Sequence, residues 1–479
     1  MKSAIRIASI CGIAATLAGC RTFNDARQSY ALNLAQGNYA MLPGEMAEFA
    51  AKKDNNAPLA WLYSAYGAYL ADDAAAASTA FDNAEAVFLA HDAKGIFSSA
   101  ASSTAAIMTN DKAFEYDGGG LDRVFVALYK AIGYMGTGQV NAARTELNRA
   151  AQYQDNWLYE RRKNIADSRE RLAAGERKQA KDKSVANAPN SATSVAQVFA
   201  DDSFGGIFRD ATGFDPRSSG DIEKLARKDY VNVYAEHVTG IFRWLNGDGG
   251  LSYLKDAAAL APANSVLARD AAECASGAKP QEQVWIWVED GLCPRRKEWR
   301  IDLPVMFIPY ANRYVLYAGM AFPVLEERAA ATYGGISANG IAAQLLQDVD
   351  ALVRTEYDVY MRGALAREVT RAVARVAVQA GFGVAAEHAS DRGTRLGFQL
   401  AQLSSAAWAA GMTSADTRSW DVLPKHVWCI RMARPETGRV DVAVGGRVVT
   451  LSPPAGCNTL VWIRQAVPLA APVVKQVAF

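Results

Sequence analysis

Four histidines stand in this chain, His91, His237, His388 and His426, and none belongs to an HExxH motif or a Cys/His cluster at zinc spacing. A catalytic zinc needs its ligands close on one face, so this spacing argues against one. No GxSxG turn that would expose a nucleophilic serine occurs, and neither does a glycine loop that would cradle a phosphate or dinucleotide. The sequence therefore predicts no catalytic residue, no metal and no cofactor. Three charged constellations remain. Arg367, Arg371 and Arg375 recur every four residues beside an apolar stripe of Leu365, Val369, Ala372 and Val376, which places three guanidinium groups on one helical face. Such a row either faces water or holds an anionic partner, such as a glycan, a phosphate or an acidic protein. Asp416, Arg418 and Trp420 suit a binding site, or an ion pair with the indole packed beneath a helix-to-strand connection. Asn110-Asp111, Glu115-Tyr116 and Asp122-Arg123 surround Gly118, Gly119 and Gly120, and read as a polar loop or as capping and a turn at a helix start.

Cysteine chemistry depends on the compartment. Lys2 and Arg6, the apolar run Ile7 to Leu17 and the small Ala18 and Gly19 have the three parts of a secretion signal, too short to span a bilayer. Leu17-Ala18-Gly19-Cys20 resembles the lipobox of bacterial lipoproteins. The resemblance implies cleavage before Cys20 and a diacylglycerol on its thiol, a durable membrane anchor at about 0.8 kcal/mol per buried methylene. Arg21 after the cysteine favours the outer membrane, with the body in the periplasm. There Cys274, Cys293, Cys429 and Cys457 could form two disulfides, with three connectivities open. Nearest-neighbour pairing is preferred, each bond closing a loop of about twenty residues and contributing roughly 3 kcal/mol. Buried free thiols are the alternative.

The elements that position these residues divide the chain by hydrophobic period. Residues 20–160 read as Ala-rich helices with weak internal repetition. Trp61 stands on one helix and Ala77, Phe81 and Ala84 on the next; Tyr134 is followed likewise by Ala143, Leu147 and Ala150. Small residues near large apolar ones let paired helices interlock, the physical content of a tetratricopeptide pattern. A charged and flexible linker is expected over 161–220, then a further helical hairpin over 221–275 with Leu254, Ala257 and Pro262. From 280 the period changes to two. VWIWVEDG is apolar on both faces, as an internal strand requires. Two more strands follow, with Pro304, Pro309 and Pro323 at ends or edges. Helices are expected from about Ala343 to Ala380 and Thr394 to Ala410, and then strands broken at Pro435 to Gly438, Gly445-Gly446 and Pro453 to Gly456. The expected fold is α+β: an N-terminal α-solenoid-like region followed by an antiparallel sheet module with inserted helices over 280–479.

Fifty-one basic against fifty acidic residues leave no field to attract nucleic acid. The chain ends in Phe479, as outer-membrane barrels often do, but its Ala-rich helical stretches are not repeated ten-residue alternating strands. Thr109 to Ala150 and Ala415 to Cys457 resemble an uncharacterised family of bacterial envelope lipoproteins with tetratricopeptide-like helices. That resemblance implies an envelope assembly or interaction component and brings no reaction. The expected function is a non-enzymatic scaffold for envelope proteins or peptides, anchored to the periplasmic face of the outer membrane. A glycan- or peptidoglycan-acting enzyme and a lipid or small-ligand carrier are the rivals.

Overall fold

The computed structural model describes residues 22–52, 54–98, 111–159, 202–214, 230–308, 313–332 and 335–479. The signal segment, Cys20 and most of the expected linker lie outside the described residues.

Helices come first, and local chemistry sets their ends. Helix α1 (Phe23–Gln36) opens on a capping box between Thr22 and Asp25 and stops at Gly37, which takes the left-handed conformation. Then follow α2 (Leu42–Ala51), α3 (Ala57–Leu70), α4 (Ala74–Ser98), α5 (Gly120–Gly136) and α6 over 140–159. Every residue of α3 except Trp61 is buried, so this helix is a core rod rather than an amphipathic surface helix. Gly67 makes that possible. A Cβ there would stand 2.7 Å from the Leu42 side chain at the start of α2.

Helix α7 (Asp202–Thr212) lies inside the stretch read as linker. Its Phe208 is fully buried against Phe322 and Trp299, a contact that only the distant strands supply. Helices α8 (Val233–Asn246), α9 (Leu251–Leu260) and α10 (Ser265–Ala275) complete the first half, the last capped by Asn264. The anticipated small and large positions are inside: Ala77, Phe81, Ala84, Ala143, Leu147, Ala150, Leu254 and Ala257 are all buried. Pro262 is exposed.

Strand β1 (Gln283–Asp290) is the centre of a five-stranded sheet ordered β11-β10-β1-β7-β6, with β6 (Gln344–Asp348), β7 (His426–Ala433), β10 (Thr459–Gln465) and β11 (Val473–Ala478). The two apolar faces of β1 have different partners. Trp285 and Trp287 join a core that runs without a break from Ala26 of α1 to Ala466 beyond β10. Val284, Ile286 and Val288 face a smaller sheet of β4 (Ser337–Ala338), β5 (Ile341–Ala342), β8 (Val440–Val444) and β9 (Arg447–Leu451). The result is a helix layer, a central sheet and a second sheet, an α+β arrangement with helices before sheets.

Two expectations change. The central sheet is mixed rather than antiparallel, because β1 and β10 run parallel. The crossover between them spans most of the C-terminal half, a length parallel neighbours can accommodate and a hairpin cannot. The helix expected from about Ala343 begins as β6, and α11 (Val349–His388) starts only where Asp348 caps it by accepting from the Ala351 N–H at 3.1 Å. Helix α12 (Arg392–Met412) follows. With a long two-stranded ribbon, β2 (Arg295–Ile308) and β3 (Arg313–Glu326), these helices form an arm beside the layered body. Pro304 and Pro323 sit within this ribbon; each strand has an open edge there, so a missing N–H is tolerated.

The cysteine pairing also changes. Cys274, Cys293, Cys429 and Cys457 are free thiols. Cys429 is paired in register with Trp287, which in turn faces Trp462 of β10. Strand β1 therefore stands between Cys429 and the segment carrying Cys457, a separation of about 10 Å from strand spacing alone, beyond disulfide reach. Strand β1 likewise carries the chain away from Cys274 before Cys293 is reached. Burial pushes the Cys293 and Cys429 thiols up to about 12, with Arg328 and Asn264 opposing it only in part. In the native protein, iodoacetamide is expected to alkylate the half-exposed Cys274 and Cys457 and to spare Cys293 and Cys429 until denaturation. Peptide mapping reads the result. A native disulfide, or equal labelling of all four, would refute the arrangement.

Candidate functional site

The three charged constellations, far apart in sequence, converge at one junction between α5, α11 and the segment before β7. Asp111 is the hub. Its carboxylate accepts from Arg367 at 2.7 and 3.2 Å, from Arg371 at 2.7 Å and from the Tyr360 hydroxyl at 3.1 Å. Burial opposes ionisation of Asp111, but the two arginines outweigh it and hold the carboxyl down to about 2. The arginine row is thus occupied within the chain and is not an open cradle for an anionic partner. Arg371 is buried between Asp111 and Glu368, its bond to Glu368 measuring 2.6 Å. Arg375 is buried too and donates to the Thr413 hydroxyl at 3.1 Å. The side chains of Val369 and Val376 lie outside the described ones.

Arg418 closes the junction from the other side. It forks onto Asp416 at 2.8 and 2.9 Å and donates to the main-chain carbonyls of Asn55, Phe114 and Asp111. Trp420, two residues on, is buried against Tyr66, Phe81 and Tyr129. The Asp416, Arg418 and Trp420 group is a fastener with an aromatic root.

The glycine triplet has a separate cause at each position. Gly118 has φ +66°, and a Cβ there would meet the Phe88 ring at 2.5 Å. A Cβ on Gly119 would stand 2.4 Å from Glu356 Oε1, and one on Gly120 2.0 Å from Trp157 Cδ1. Asp122 completes the turn as a capping residue, accepting from the Gly119 N–H at 3.1 Å and from the Tyr116 hydroxyl at 2.5 Å. Arg123 pairs with Asp92 and His91 with Glu115. Asn110 lies outside the described residues.

Burial and then the neighbouring Glu356 charge push the Asp122 carboxyl up to about 7, against an ordinary 3.8. The folded chain then holds a proton that the unfolded chain releases between these two values. This contribution to stability is present at low pH and is lost as pH rises through about 7. Asp122→Asn keeps an acceptor for Gly119 and Tyr116 and removes the titration. Unfolding midpoints of variant and parent are expected to move in the variant's favour as pH rises across this window; a constant difference would refute the assignment.

A second buried network was invisible in the sequence. The Trp287 indole, a donor only, gives its N–H to His237 Nδ1 at 3.1 Å, so Nε2 carries the imidazole proton and donates to Asp270 Oδ2 at 2.7 Å. Arg431 also reaches Asp270, at 2.7 Å. A His–Asp pair of this kind could orient a general base, but the nitrogen that would take a substrate's proton is held by Trp287 beneath the sheet. Neither ring nor carboxylate is exposed. The pair locks α8 and α10 to the sheet.

One face remains open. On α12, Leu396, Leu400 and Leu403 are 56, 54 and 57% exposed, and Trp408 is partly exposed one turn further on. Their spacing of four and three residues puts the leucines on a single helical stripe. Among the described residues no helix is long and apolar enough to cross a membrane, and no cluster of His, Cys, Asp and Glu could hold a metal ion.

These features define an α+β protein with a charge-fastened junction and an arm of two helices and a two-stranded ribbon beside its layered body. No family model, curated protein or solved structure matches the chain.

Proposed function

We propose that this chain is an outer-membrane lipoprotein, tethered through Cys20 to the periplasmic face, that works without catalysis as an interaction scaffold for other envelope proteins. The single observation that carries this reading is the exposed leucine stripe of α12. Helices with apolar anchors at i, i+4 and i+7 dock into grooves on partner proteins, and three half-exposed leucines on a helix are otherwise an aggregation liability. The fastened junction supports the same reading, since a rigid base lets a projecting arm present its face at fixed orientation. The pairs α3/α4, α5/α6 and α8/α9, with small residues packed between their large ones, support a tetratricopeptide-like description of the first half. They favour a packed core over an open groove, so the binding surface is assigned to the arm and not to the repeats. Membership of the envelope lipoprotein family resembled by Thr109 to Ala150 and Ala415 to Cys457 belongs to this proposal.

The test is crosslinked capture of the lipidated protein from its native envelope, followed by mass spectrometry. A small set of envelope proteins is expected, lost when Leu396, Leu400 and Leu403 are together replaced by serine and depleted in a Cys20→Ser control. Recovery of the same set with the serine variant would overturn the assignment to α12. So would a purified dimer that the variant turns into a monomer.

A further inference from the structure

The exposed face of α12 has a second regularity. Leu396, Leu400 and Leu403 are followed by Ala407, which is exposed, and Ala410, which is half-buried, so apolar residues recur at alternating steps of four and three. At about 100° per residue the three leucines fall within about 60° around the helix axis. Exposed Gln399 and Ser404 border them, each about 40° beyond the outermost leucine on its side. A strip of this width and spacing is the seam of a coiled coil, in which apolar side chains of one helix seat between those of another. Alanine at the last two positions lets a partner backbone approach closely there.

Charge decides what kind of helix fits. Helix α12 contains no Asp or Glu; its only ionic side chains are Arg392 and Arg395, both exposed and neither in an ion pair among the described residues. Arg392 stands four residues before Leu396 and about 20° outside the strip, a position from which coiled coils reach across to an opposite charge. The nearby carboxylates are engaged: Asp391 caps α12 by accepting from the Thr394 N–H at 2.8 Å, and Glu387 of α11 has a partner within the chain. We propose that α12 pairs with one amphipathic helix of a partner protein, apolar along its seam and acidic beside it opposite Arg392. This inference rests on the scaffold reading and names the chemistry of the partner.

A second copy of the chain fits less well, because its α12 brings two more arginines and no carboxylate to meet them. A bilayer surface also accepts leucines and cations together, but a helix lying in the interface buries a broad face to a depth of about 5–10 Å. That depth would take Gln399 and Ser404 out of water on both sides of the strip. A single helix covers the strip and leaves both in water.

The test is fluorescence anisotropy of two dye-labelled three-heptad peptides against the full chain carrying Cys20→Ser, so that no acyl group contributes. Both peptides have leucine along the seam; one has glutamate and the other lysine at every flanking position, and like charges keep each from pairing with itself. The glutamate peptide is expected to bind saturably in the micromolar range, and the lysine peptide about fivefold more weakly. High salt should close that gap, since exposed charges are screened. Arg392→Glu is expected to invert the preference, and joint replacement of Leu396, Leu400 and Leu403 by serine to abolish binding of both peptides. All four positions are exposed, and an unchanged thermal midpoint checks the fold. If Arg392→Glu shifts the midpoint, Arg392→Gln takes its place and should erase the preference. No binding, equal affinity for the two peptides, or a preference indifferent to Arg392 would overturn the proposal. So would leucine-dependent binding to vesicles of phosphatidylethanolamine and phosphatidylglycerol in place of the peptide, or a dimer that the serine variant dissociates. The two readings fail separately. Leucine-dependent capture of envelope proteins without a peptide preference overturns this inference and leaves the scaffold standing; charge-selective peptide binding with no envelope protein captured does the reverse.

Discussion

Arg418→Ala is expected to lower the free energy of unfolding by about 3–5 kcal/mol, the range found when one partner of a buried ion pair is removed. The guanidinium makes five hydrogen bonds in one place: two to Asp416, and one each to the carbonyls of Asn55, Phe114 and Asp111. Arg418 is 7% exposed, so water cannot readily replace what is lost. Truncation strands a carboxylate and three main-chain acceptors together. Arg418→Lys should recover only part of the loss, because a single ammonium cannot span the fork that a planar guanidinium fills. The exposed Arg439, whose side chain pairs with Asp441 and Thr450 just before β8, provides the contrast: Arg439→Ala should change stability by no more than about 0.5 kcal/mol. Denaturant midpoints with unchanged slopes measure all three variants. A loss below about 1 kcal/mol for Arg418→Ala would show that the junction is held by something else, with the arginine merely resting on it.

The second large effect is expected at Gly118. Gly118→Ala forces an L-residue into the left-handed region, at about 1–2 kcal/mol, and drives a methyl group into the Phe88 ring, at about 1–3 kcal/mol of overpacking. The sum, roughly 2–5 kcal/mol, rivals the arginine deletion although only one methyl is added. Gly138 separates the two causes. It has a similar φ of +73° but nothing within 4 Å of an added Cβ, so Gly138→Ala should show the backbone part alone. Equal losses at the two glycines would mean that Phe88 moves aside, and the packing account of the triplet would fail.

The charged junction was legible only in pieces. Each arginine, the Asp416/Arg418 pair and the glycine turn could be picked out from residue type and spacing, yet each had an ordinary local explanation. Their meaning lies in pairings such as Arg367 with Asp111, 256 positions apart. Helical period reports which residues share a face, not what that face meets. Hence the arginine row could be read as solvated or partner-facing, while two of its three members are buried. The His237–Asp270 pair gave no local signal beyond a lone histidine.

By itself the sequence determined what depends on neighbours within a turn or a strand. It determined the helix pairs around Ala77 and Ala143, the strand β1 with two apolar faces, the break to period two after 280, and the α+β class. Tertiary structure alone decided that β10 lies parallel to β1, that residues 202–212 form a helix under the ribbon, that the four thiols stand apart, and that three charged segments meet at Asp111. The physical reason is range. Backbone propensity and hydrophobic period act over about four residues in a helix and two in a strand, whereas ion pairs, thiol spacing and strand order depend on which distant surfaces hydrophobic collapse brings together.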